Sequence, residues 1–154
     1  MRRALQLAAR ARGRVSPNPI VGAVVVDDAG QIVGEGYHQK VGGPPAEVHA
    51  LRDAGTRARG STVYCTLEPC AHHGRTGPCA VALVEAGIRR LVCALEDPDA
   101  RVAGQGFAML REAGIVVELG AGADAAREQN AGYLHHRRHH RPRVWLKLAQ
   151  SLDG

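Results

Sequence analysis

Between positions 61 and 119, short β-branched runs alternate with apolar helical stretches that each close on a glycine, and this alternation narrows the possible folds sharply. Residues 61–66, 88–95 and 115–119 read as strands. Residues 78–86 read as a helix closed by Gly87, and residues 104–113 as a second helix followed by Gly114, the residue type best able to end a helix in a left-handed turn. Strands that alternate with helices form a sheet covered by helices on its faces. Upstream, residues 20–26 and Ile32-Val33 flank Asp27-Asp28-Ala29-Gly30, which reads as a hairpin. Leu5, Leu7, Ala8 and Ala11 give the first dozen residues an apolar helical face, and Pro17-Asn18-Pro19 then forbids helix continuation. Gly42-Gly43-Pro44-Pro45 leads into a helix over 45–54, and residues 123–136 form a last helix. The fold implied is a three-layer α/β/α class with a mixed central sheet and helices on both faces.

The chain has 154 residues, the usual size of one domain, and no internal repeat. Apolar residues make up 45% of it and aromatic ones only 3%, so the core must be built from Ala, Val, Leu and Ile. A formal charge of +5 favours anionic ligands such as phosphates. The excess is too small to support nucleic-acid binding, which calls for a basic face with aromatics for stacking. There is no 18-residue apolar run and no signal-peptide core, which implies a cytoplasmic protein with no membrane partner. The tract His135-His136-Arg137-Arg138-His139-His140-Arg141 reads as a solvated helix end and linker. Beyond Pro142, Val144-Trp145-Leu146-Lys147-Leu148 looks like a new strand.

Four cysteines, Cys65, Cys70, Cys79 and Cys93, are too few for a disulfide scaffold. Cys65 and Cys93 fall inside strands and read as small buried apolar residues. Cys70 ends Thr66-Leu67-Glu68-Pro69-Cys70, and Cys79 follows Pro78 at a helix start, where free N–H groups favour a thiolate. With Pro45-Ala46-Glu47 upstream, the order approaches the zinc deaminase signature His-x-Glu followed by Pro-Cys-x-x-Cys. Hydrolytic deamination needs an activated water and a carboxylate that carries its proton to the departing ammonia. Cys70 and Cys79 are accordingly the metal candidates, with Zn2+ as cofactor, and Glu47 is the catalytic candidate.

These motifs carry a resemblance to a known family. Residues 16–25 (SPNPIVGAVV), 46–51 (AEVHAL), 66–79 (TLEPCAHHGRTGPC), Asp97-Pro98, 102–106 (VAGQG) and 146–154 (LKLAQSLDG) resemble the deaminase domain of the bifunctional riboflavin biosynthesis deaminase/reductase family, of cytidine deaminase-like fold. Eight residues separate Cys70 from Cys79, whereas other deaminases of that superfamily usually have two. The resemblance implies deamination of 2,5-diamino-6-ribosylaminopyrimidinone 5'-phosphate to 5-amino-6-(5-phosphoribosylamino)uracil. It places Asn18, His38, His72 and Arg75 in the substrate pocket, the first two suited to a pyrimidinone edge and Arg75 to a phosphate. His49 and His73 keep loop or cap roles. It also implies a homo-oligomer and a division into residues 1–141, the deaminase domain, and 142–154, the start of a reductase domain that alone would use NADP.

One position departs from the family pattern. Where the family has its zinc-binding histidine, this chain has Pro45, which has no ligating group but suits a helix start. Zinc binding is therefore expected to be weak or absent, since His49, one helical turn on and the nearest local substitute, would have to reach an extra turn's length. Two other readings stand beside the enzyme: a catalytically lapsed deaminase-like domain with a folding or assembly role, and a nucleic-acid base deaminase, which leaves the long cysteine spacing unexplained.

Overall fold

The computed structural model describes residues 1–71, 77–99, 102–151 and 154. Five strands, β1 (Gly22–Val26), β2 (Ile32–Tyr37), β3 (Thr62–Cys65), β4 (Arg90–Cys93) and β5 (Val116–Leu119), form one sheet in the order β2-β1-β3-β4-β5. β1 pairs antiparallel with both β2 and β3, whereas β3, β4 and β5 run parallel. The mixed sheet is thus a hairpin joined to two crossovers. In the hairpin loop the Asp27 carboxylate accepts hydrogen bonds from the Ala29 and Gln31 amides at 3.0 and 2.8 Å.

The helices are α1 (Arg2–Ala9), α2 (Ala46–Ala54), α3 (Cys79–Glu85), α4 (Gln105–Glu112), α5 (Ala123–Gln129) and α6 (Ala131–His139). Strand alternation sorts the core into layers. Ala23, Val25, Val63, Cys65, Leu91 and Cys93 face α2, α3 and α4 together with Ala50, Leu83 and Leu110. Val24 points to the other face, against Ala4 and Leu7 of α1. Burial of small aliphatic side chains from both faces is what a chain so poor in aromatics requires.

Glycine sets how closely helices approach the sheet. A Cβ on Gly34 would stand 2.3 Å from the Ala50 carbonyl oxygen, and one on Gly36 would stand 2.3 Å from that of Ala46. The alanine stripe Ala46, Ala50 and Ala54 therefore lies directly on β2, with all three side chains buried. On the opposite face Gly22 admits α1 in the same way, its missing Cβ lying 2.0 Å from the Ala4 carbonyl oxygen. A bidentate ion pair from Arg3 to Glu35, at 2.6 and 2.7 Å, ties α1 to β2.

Two expectations are corrected. The single helix over 123–136 is two helices broken at Asn130, whose buried side chain accepts from the Ile20 amide and donates to the Ile20 carbonyl, both at 2.9 Å. An amide committed to a segment 110 residues away fixes its own backbone outside the helix. The strand over 144–148 does not form, and Val144, Trp145, Leu146 and Leu148 are exposed. A strand needs a neighbour for its backbone groups, and residues 144–148 pair with none of the five strands of the sheet. Among the described residues, no helix is long and apolar enough to cross a membrane.

The glycine contacts lead to a direct expectation. Gly36→Ala drives a methyl group into the α2 backbone and should destabilise the fold by about 1–3 kcal/mol, as overpacking does. Thermal unfolding followed by circular dichroism checks this, and an unchanged midpoint would show that α2 can shift away from β2.

Candidate active site

Past the carboxyl ends of β3 and β4 lies a cavity of about 480 Å³. Of the residues expected from the sequence, Asn18, His38, Glu47, Cys70 and Cys79 all line it. His72 and Arg75 lie outside the described residues. Five side chains from four separate stretches of chain thus converge, each held by the local fold.

Glu47 is in the first turn of α2, directly on the glycine-mediated contact with β2, and is 4% exposed. Burial raises its carboxyl from the ordinary value to about 7, while hydrogen bonds from the Cys79 and Cys65 thiols act in the opposite direction. Cys79 opens α3, and Cys70 lies in the loop before it. The two Sγ atoms are 3.3 Å apart, and the Cys79 amide donates to the Cys70 sulfur at 3.4 Å. The Ala80 amide donates to the Cys70 carbonyl at 3.1 Å, so the amino end of α3 holds Cys70 by both its backbone and its sulfur. Contact with the Cys70 sulfur, followed by burial, pushes the Cys79 thiol above its ordinary range.

Asn18 and His38 meet across the cavity, with Nδ2 and Nε2 at 3.3 Å. His38 Nδ1 lies 3.2 Å from the Pro44 carbonyl oxygen, which can only accept. The proton is therefore on Nδ1, and Nε2 accepts from the Asn18 amide. That leaves the Asn18 carbonyl oxygen and one amide hydrogen for a ligand.

Glu68 lines the cavity too, in a role that its place in the Leu-Glu-Pro-Cys motif does not reveal. Its carboxylate accepts from the backbone amides of Asp97 at 3.2 Å and of Gly104 and Gly106 at 3.0 Å. Gly106 in turn lies so close to Pro69 that a Cβ there would be 1.9 Å from the Pro69 carbonyl oxygen. Glu68 thereby holds Asp97, Gly104 and Gly106 against the Glu68-Pro69 backbone that leads into Cys70. A carboxylate flanked by proline, with a Gly-x-Gly sequence downstream, is the sequence trace of this clasp. The expected burial of Cys65 and Cys93 holds, and burial raises both thiols.

His49 stays out of the site: it turns away from the cavity and lines a separate depression with Leu7, Arg10 and Tyr37, so it brings no nitrogen to the cysteine pair. One expectation about an arginine changes. Arg137, read as part of a solvated tract, lines the cavity from α6. Helix periodicity explains the difference: Tyr133 and Arg137, four apart, share the inward face while Arg138 and His139 are exposed.

A buried acid set against two cysteines in the cleft of a mixed α/β sheet defines a deaminase-type site. The sequence matches the model for the cytidine and deoxycytidylate deaminase zinc-binding region over residues 1–95, and the chain belongs to that family. It is 54% identical over all 154 residues to the riboflavin biosynthesis protein RibD of Escherichia coli, covering 42% of that protein. Among solved structures it is similar to Acinetobacter baumannii RibD, with a TM-score of 0.95 and 51% identity, over 99% of this chain and 43% of that one. A Thermotoga maritima diaminohydroxyphosphoribosylaminopyrimidine deaminase/5-amino-6-(5-phosphoribosylamino)uracil reductase is similar over 92% of this chain and 41% of that one, with a TM-score of 0.87 and 41% identity. The chain spans about two-fifths of the length of these relatives.

Zinc is the metal of this family, and the donor set here meets its needs only in part. A catalytic zinc takes three protein ligands and leaves a position open. Cys70 and Cys79 supply two thiols, but Pro45 lines the cavity without a donor atom. Among the described residues, no three His, Cys, Asp or Glu side chains stand together as a metal set. Pro45 itself is unstrained, with φ −64° just ahead of the first helical residue. Protein purified from zinc-supplemented culture should therefore carry well under one zinc per chain by elemental analysis. Pro45→His should raise zinc affinity at least about 10-fold, since even an indirect partner of a metal is worth 10- to 100-fold. One tightly held zinc per unmodified chain would refute the two-ligand description.

Proposed function

We propose that this chain is a hydrolytic deaminase of riboflavin biosynthesis. It would convert 2,5-diamino-6-ribosylaminopyrimidinone 5'-phosphate to 5-amino-6-(5-phosphoribosylamino)uracil with release of ammonia. The observation that carries the reading is the juxtaposition of the buried Glu47 carboxyl with the Cys70 and Cys79 pair, at the foot of a cavity walled by Asn18 and His38. Likeness to RibD proteins along the whole chain supports the substrate class.

Deamination of this kind replaces a ring amino group by water. A proton must leave the attacking water and reach the departing nitrogen. Glu47 is the carrier: its carboxyl is enclosed, it is drawn on by neighbouring thiols, and its affinity for a proton is balanced near neutrality, where a group can both take and return one. Asn18, oriented by His38, presents one acceptor and one donor to the pyrimidinone edge. Cys70 and Cys79 are the metal-holding pair, and Arg75 is the proposed phosphate partner from the Gly-containing loop. Residues 142–154, whose apolar side chains find no sheet among the described residues, are proposed as the entry to the reductase portion, the part that would use NADP.

Ammonia release from the pyrimidine phosphate, assayed with zinc in excess, tests this reading. Glu47→Gln should lower kcat at least about 100-fold, the scale of a lost general acid–base group, while the folded content by circular dichroism stays the same. Equal inertness of the unmodified protein and Glu47→Gln, with activity only after Pro45→His, would overturn it.

A further inference from the structure

We propose that Arg137, on α6, is an anion-binding residue of the cavity and recognises the phosphate of the substrate. Among the described lining residues it is the one with a permanent positive charge; the ionisable others are the acids Glu47, Glu68, Asp97 and Asp99, the two cysteines, His38 and Tyr133. A phosphorylated ligand in this cavity thus meets its cation on α6. The inference rests on the proposed substrate class.

The surroundings of Arg137 are those of a placed group. Its guanidinium lies over the Tyr133 ring, 5.3 Å from the centroid. Tyr133 is anchored in turn, its hydroxyl donating to both Asp97 carboxylate oxygens at 2.9 and 3.0 Å. The Asp97 amide is bound by Glu68, so the stack is continuous with the clasp that shapes the cavity. The ion pair of Arg137 with Asp99 runs through Nη1 and is long, at 3.4 Å. Nε is buried and makes no hydrogen bond. A guanidinium carries five N–H groups in a planar fork, and an orphaned buried donor is costly unless a ligand satisfies it. Phosphate oxygens match that fork in pairs.

Calorimetric titration of two ligands separates a phosphate contact from a structural role. The diaminopyrimidine ribonucleotide and its dephosphorylated ribonucleoside would be titrated into the chain carrying Glu47→Gln, so that neither is consumed, and into the same chain with Arg137→Met, Arg137→Gln or Arg137→Lys. In the parent the phosphorylated ligand should bind more tightly. Arg137→Met and Arg137→Gln should each shrink that preference roughly 10-fold or more, the scale of a lost charged hydrogen bond, and Arg137→Lys should keep part of it. An unchanged preference, or equal weakening of both ligands, overturns the role of Arg137 while leaving the proposed substrate in place. A parent that binds neither ligand overturns both.

Discussion

The site depends on how closely α2 can approach β2. Without side chains at Gly34 and Gly36, the backbone of the helix rests on that of the strand, and the alanines at positions 46, 50 and 54 fill the seam. Glu47 follows the first of these alanines, so its depth in the protein is set by that contact. Any larger residue on either side would lift the helix and with it the carboxyl. The buried state that raises the Glu47 proton affinity is therefore a consequence of packing, transmitted by backbone geometry.

The second constraint is the Glu68 clasp. The backbone amides of Asp97, Gly104 and Gly106 converge on one carboxylate, which holds the two ends of the connection between β4 and α4 together at the cavity wall. Burial raises the Glu68 carboxyl even as those amides oppose the rise. From this wall Asp97 reaches Tyr133, and α6 is drawn in over the cavity. The break at Asn130 serves the same end, since a helix continuing straight from α5 could not keep its Asn130 bonds to Ile20. Cavity shape thus follows from polar side chains that hold backbone and take no part in chemistry.

Much of this was legible in the sequence, and what was not has a common cause. The strands and helices of the sheet layer show in local periodicity because one face of each is buried. The motif residues Glu47, Cys70 and Cys79 show because order and spacing are themselves the signal. Asn130, Glu68 and Arg137 stayed hidden because each is defined by partners distant in sequence. Gly34 and Gly36 look like breaks in a strand until the alanine stripe at positions 46, 50 and 54 is set beside them. Residues 144–148 have a β-like composition but no strand partner among the described residues, because composition states a propensity and pairing requires a neighbour.

Pro45 shows how far folding and chemistry can separate at a single position. A residue that opens a helix needs a compatible φ and no obligatory N–H, and proline meets both conditions. A metal ligand needs a lone pair aimed at one point, and proline offers none. Nothing in the packing of α2 distinguishes the two cases, because the side chain at position 45 faces the cavity while the alanines bear the contact with β2. The fold therefore exerts no pressure for a histidine there. Only the reaction does, because the two thiols of Cys70 and Cys79 leave the third protein ligand of a catalytic zinc to a position where proline brings no side-chain donor.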